Sequence, residues 1–166
     1  MPQNERLKIL ARLNKDDWDN ITARAESLMA AHRFGCSEIL LMAFQEKLGE
    51  ELLPGAAVSM ASAFRGGFGG AGCTCGVLSG GAMVLGAVFG YQGDANGEQD
   101  PENVARTRAI YKELHDRFRE MNKSACCRVL TKGLAPGSPE AKAKCAILVK
   151  NGAALVGSII AREIAG

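Results

Sequence analysis

The side chains in this 166-residue sequence best equipped for redox or metal chemistry are its six cysteines, Cys36, Cys73, Cys75, Cys126, Cys127 and Cys145, against two histidines, His32 and His115. A cysteine works as the thiolate, which attacks disulfides and binds soft metals. The spacing is selective about which chemistry. Cys73-Thr74-Cys75 is a C-x-C step, unlike the paired C-x-x-C knuckles of zinc ribbons or the close cysteine run of bacterial ferredoxins. No C-x-x-C-H occurs, so haem attachment has no anchor. His32 falls near the end of an expected helix, a favourable dipole contact, and His115 reads as a helix-surface residue. Cys126 and Cys127 are unsuited to a resting disulfide with each other, because adjacent Cα atoms lie ~3.8 Å apart and disulfides prefer roughly 4.4 to 6.8 Å. On a helix the two diverge, so one joins a shared site and the other packs or acts in exchange.

Neighbouring residues point three of the thiols inward. Cys36 is followed at helical spacing by Ile39, Leu40 and Ala43, Cys75 by Leu78, Ser79 and Ala82, and Cys145 by Leu148, Val149 and Gly152. Burial alone is also what an unreactive cysteine shows. Position within the helix adds information: Cys36 and Cys75 fall in first turns, where unpaired amides and the helix dipole favour a thiolate. Arg65 and Arg128 are candidates to add positive charge. The N-terminal Met-Pro-Gln-Asn-Glu-Arg-Leu-Lys lacks the apolar core of a secretory signal, so a cytoplasmic location is expected. Thiols are kept reduced there, which favours ligation or redox chemistry over a structural disulfide framework.

Helices must position these thiols. Ile21, Ala25, Leu28 and Met29 form one apolar stripe of a helix that Asn14 or Asp16 can cap and that stops near Gly35. A second helix runs from Ser37 to Leu48, and a short one from Gly55 to Phe64 follows Pro54. The glycine-rich turn from Arg65 to Gly72 leads to Thr74, the expected cap of an apolar helix reaching about Tyr91. After a polar break at Gln92 to Asp100, Pro101 starts an amphipathic helix marked by Val104, Tyr111, Leu114, Phe118 and Met121. A short helix holds Cys126 and Cys127. The last helix, Glu140 to Ile164, follows the Pro136-Gly-Ser-Pro139 linker and has a slack point at Asn151-Gly152. No alternating run of β-branched residues occurs. The expected fold is all-α, a single-domain compact helical bundle in which a glycine-rich turn leads into a buried cysteine-bearing helix.

Composition removes several functions. Twenty basic against eighteen acidic residues and 5% aromatics leave neither a strong field nor a stacking platform, so nucleic acid is not an expected partner. Gly67-Phe-Gly69-Gly-Ala-Gly72 has the G-x-G-x-x-G spacing, but no strand precedes it and no βαβ pattern follows, so a plain connection is the better reading than a dinucleotide site. The charge-free stretch from Gly66 to Gly93 is glycine-rich, and its apolar part from Val77 to Tyr91 falls short of the ~20 residues of a membrane span; a buried core helix is expected. Gly76, Gly80, Gly86 and Gly90 would let another helix approach closely, which suggests a homodimer or close packing within one subunit.

Read together, Gly35-Cys36-Ser-Glu-Ile-Leu-Leu-Met-Ala-Phe-Gln-Glu-Lys-Leu-Gly49, Ala61 to Gly70, Thr74-Cys75-Gly76-Val77 through Gly86, Cys127-Arg-Val-Leu130 and Cys145 resemble the C_GCAxxG_C_C family of small bacterial and archaeal redox-associated proteins. The resemblance covers residues 14–166 and leaves 1–13 as an N-terminal extension. It implies a helical fold and one site built from Cys36, Cys75, Cys127 and Cys145, the number of thiolates an iron–sulfur cluster needs. The cysteine module of split-Soret cytochromes is similar. Val77 stands where the family has alanine, and Cys73 and Cys126 are additional thiols, possible substitutes among the ligands. The expected function is electron transfer to an unknown redox partner through that cluster. The alternatives are a metal-free thiol–disulfide oxidoreductase or sensor, and a structural zinc or interaction module.

Overall fold

The computed structural model describes residues 3–91 and 98–165, which form helices and connections with no strand among them. Most of the polar break expected at Gln92 to Asp100 lies outside the described residues. The helices are α1 (Gln3–Leu10), α2 (Lys15–Ala30), α3 (Cys36–Leu48), α4 (Gly55–Ala61), α5 (Gly76–Phe89), α6 (Pro101–Asn122), α7 (Cys127–Leu130) and α8 (Pro139–Ala165), with a 3₁₀ turn at Ser62–Phe64. The all-α expectation holds.

Local chemistry accounts for where they start. Asn14 caps α2 by accepting from the Asp17 amide at 3.2 Å, while the Asp17 carboxylate accepts from the Asn14 amide at 3.1 Å. Asp100 accepts from the Glu102 amide and Pro101 supplies the first residue of α6. The α2 stripe Ile21, Ala25, Leu28 and Met29 is buried as its spacing predicts. The segment ahead of it also folds onto the core, since α1 brings Leu10 to full burial and the Arg6 guanidinium donates to the Gly90 carbonyl.

Helix α5 is the hub, packed against α3, α6 and α8, while α8 also lies along α2. Two glycines permit the approach. A Cβ on Gly80 would stand 2.7 Å from the Ser37 carbonyl oxygen and 2.9 Å from its Cα, so α3 and α5 touch backbone to backbone. A Cβ on Gly152 would overlap the Val77 side chain, which explains a glycine inside an unbroken helix. The slack point expected at Asn151-Gly152 is therefore a contact with α5, and α8 runs through it. Gly76 and Gly80 are likewise filled from within the chain, by Cys36 and Ser37 of α3. By length and composition α8 could cross a membrane, but half of its apolar window is buried against the other helices.

Candidate redox site

The site lies where the starts of α3, α5 and α7 meet the second turn of α8. Residues Arg65 to Gly72 form a compact turn closed by bonds from the Gly70 amide to the Arg65 carbonyl (3.0 Å) and from the Gly72 amide to the Gly67 carbonyl (2.9 Å). Gly67 is required here: its φ is +73°, and a Cβ would stand 2.7 Å from the Cys73 nitrogen. This is a connection, with no strand before it, so the dinucleotide spacing is incidental.

After the turn, residues 72–75 run beside 125–128. The Arg128 amide donates to the Gly72 carbonyl at 3.0 Å and the Cys75 amide to the Ala125 carbonyl at 2.7 Å. Between these bonds Cys73 and Cys126 form a disulfide, their Cα atoms 4.4 Å apart. This corrects the expectation of uniformly reduced thiols, and it removes Cys73 and Cys126 as substitute ligands while they are joined to each other. The cap of α5 also moves by one residue, from Thr74 to Cys75, because the Ala125 bond holds Cys75 in extended conformation. Cys126 occupies the same position before α7, so only Cys127 is on that helix.

Cys36, Cys75, Cys127 and Cys145 are free; Cys75 is buried and the other three are half-buried. They meet in pairs. Cys36 interacts with Cys145, and Cys75 with Cys127. In the first pair, the interaction with Cys145, then burial and then the neighbouring thiolates push the Cys36 thiol well up, while the same interaction pulls Cys145 down. In the second, the interaction with Cys127, then burial, raises Cys75 far above the ordinary thiol range. Cys127 is lowered to about 6, chiefly by Cys75 and further by the Gly76 amide. Each pair thus favours the proton on Cys36 or Cys75 and the negative charge on Cys145 or Cys127. The charges of the pairs also act across the gap between them, Cys75 and Cys127 on Cys36 and Cys145 on Cys75. Among the described residues, no group of three or more cysteine, histidine or acidic side chains stands close enough to hold a single metal ion.

The expected arginines are engaged elsewhere. Arg65 pairs with Glu38 at 3.5 Å and donates to the Arg33 carbonyl at 2.9 Å; Glu38 in turn accepts from the Gly35 amide, fixing the start of α3. Arg128 is exposed, its stem lying over Gly72. Ser37, fully buried beside Cys36, donates to the Ala61 carbonyl at 2.8 Å. His115 lies on the surface of α6 and bonds Asp116 at 2.9 Å. His32 lies two residues past the end of α2, in left-handed conformation. Sequence reasoning missed the Cys73–Cys126 bond. Its signal was the matching placement of those extra cysteines, each just upstream of a family cysteine.

No curated protein and no solved structure matches the chain. Residues 34–159 match the family described as "Putative redox-active protein (C_GCAxxG_C_C)", a span that includes all six cysteines. With most of its length inside that match, the chain belongs to the C_GCAxxG_C_C family.

Proposed function

We propose that the protein carries electrons by means of an iron–sulfur cluster held by Cys36, Cys75, Cys127 and Cys145, and passes them to a redox partner. The observation that supports this reading is the pairing of the four free thiols. Thiolates are the soft donors that iron–sulfur clusters use, and a two-iron cluster takes two on each iron. Cys36 with Cys145 and Cys75 with Cys127 supply that set, whereas a single ion would need three or more around one point. When bound, such a cluster accepts and releases single electrons at a potential tuned by hydrogen bonds to sulfur and by burial.

The chain's own residues prepare the site. The Gly76 and Val77 amides, at the start of α5, lie close enough to Cys127 and Cys75 to favour their ionised forms. The aliphatic residues around Cys75 exclude water from it. Protein purified without oxygen, or reconstituted with ferrous iron and sulfide, is expected to be brown and to contain about two iron and two sulfide per chain. A colourless protein that takes up no iron on reconstitution would overturn the reading.

A second reading, metal-free thiol–disulfide chemistry by the same four residues, is supported by the interaction within each pair, which lowers one thiol towards the attacking form beside its partner. It predicts no iron and the loss of the four free thiols in two-electron steps under mild oxidant.

A further inference from the structure

Beside the four-thiol site, an apolar pocket of about 390 Å³ opens between the glycine-rich turn, α5 and α6. Phe64, Phe68, Leu78, Ala82 and Leu114 form its apolar wall, Tyr111 and His115 stand on the α6 side, and Cys73 is part of the wall. Cys126, the other half of the disulfide, is not. Phe68 is 64% exposed and packs edge-on against Phe64 at 5.5 Å between ring centres, so an aromatic lip borders the opening. The volume suits a small organic molecule, and the wall suits an apolar or aromatic one.

We propose that Cys73 and Cys126 form a second redox centre, a dithiol–disulfide couple that reduces a small organic disulfide bearing an apolar or aromatic group, bound in this pocket. Cys73 is the exchanging residue because it alone of the two lines the pocket. In the reduced protein the Cys73 thiolate attacks one ligand sulfur; the ligand S–S bond breaks, a mixed disulfide forms on Cys73, and one ligand half leaves as a thiolate that takes up a proton. The Cys126 thiolate then attacks the Cys73 sulfur. The mixed disulfide breaks, the second half leaves as a thiol, and the Cys73–Cys126 bond is restored. Two electrons have passed from the protein dithiol to the ligand, one disulfide becoming two thiols. An external dithiol returns the couple to its reduced state by the reverse exchange. The inference holds whether or not the other four cysteines carry iron.

The experiment uses the full chain, reduced with dithiothreitol and desalted without oxygen, with 4,4′-dithiodipyridine as the neutral aromatic probe and 2-hydroxyethyl disulfide as the polar one. Quenched samples are mapped by peptide mass spectrometry, and rates at Cys73 are divided by those of free cysteine with the same probe. The aromatic probe is expected to be favoured at Cys73 by about tenfold or more, the scale of burying one ring. Cys126→Ser is expected to stop at the mixed disulfide on Cys73. Ala82→Leu, which fills the pocket without touching either sulfur, is expected to abolish the preference while leaving the hydroxyethyl rate unchanged. The proposal is overturned if Cys73 shows no preference after normalisation, if Ala82→Leu leaves the preference intact, or if the native disulfide resists dithiothreitol until the protein unfolds.

Discussion

The backbone amide of Cys75 donates to the carbonyl of Ala125 at 2.7 Å, and this bond sets the start of α5 against the segment that carries Cys127. The pairing of Cys75 with Cys127 follows from it, as does the alignment of Cys73 with Cys126, which lie between it and the Arg128–Gly72 bond of the same two segments. One long-range backbone contact therefore positions both a thiol pair and a disulfide.

The asymmetry within each pair should appear as reactivity. In iron-free protein, Cys127 and Cys145 are expected to be alkylated by iodoacetamide before Cys36 and Cys75, since pairing lowers the former two thiols and raises the latter two. Cys127 is lowered to about 6, so its rate should be near its plateau at pH 7 and fall as the pH drops through about 6. Peptide-resolved rates between pH 5 and 9 check this. A midpoint for Cys127 at the ordinary thiol value would contradict the pairing.

Close contact of α3 and α5 at Gly80 predicts that Gly80→Ala destabilises the protein although alanine is the better helix former. A Cβ there meets Ser37 backbone, which cannot rotate away. Overpacking costs about 1–3 kcal/mol, against a helix-propensity gain of about 1 kcal/mol. A lower melting temperature is expected by circular dichroism. A rise would show that the helices separate freely.

An acid-sensitive clamp joins α6 to α8. Arg162 makes two 2.6 Å contacts with Glu113 and one at 2.8 Å with Glu163, which also bonds Arg106 at 3.1 Å. Hydrogen bonds from Arg162, partly opposed by burial, hold both carboxyls below their ordinary value. Their contribution is present above the ordinary carboxylate range and is lost as the pH falls through the lowered folded values. Glu113→Gln should lower the melting temperature slightly at pH 7, and the difference from the parent should begin to shrink as the pH falls below about 4 and vanish only below the lowered folded value. Melting curves across that range decide it, and a difference that persists in acid would count against the clamp.

Most of the helices were legible because an apolar stripe repeats with helical period whichever helices it packs against. Ile21, Ala25, Leu28 and Met29 are the plainest case. Gly152 was misread because a glycine that breaks a helix and one that admits a neighbour look the same until Val77 is seen beside it. The first helix escaped notice because its burial rests on little more than Leu10. For the site, the sequence placed Cys36 and Cys75 at helix starts, where the structure has them. Which thiol meets which was not legible, since both pairings depend on contacts between distant segments. The Cys73–Cys126 disulfide was hidden for the same reason, and the reducing compartment expected for the chain argued against looking for it.

The cluster reading is tested most directly by comparing Cys75→Ser with Cys126→Ser, both prepared without oxygen and measured for visible absorption and iron content. Serine keeps the shape of cysteine but offers a harder, far less acidic donor. The account predicts that Cys75→Ser loses the visible spectrum and most of its iron, while Cys126→Ser keeps both, because Cys126 is bonded to Cys73 and stands outside the four free thiols. A Cys75→Ser protein with the full iron content and an unchanged spectrum would contradict it.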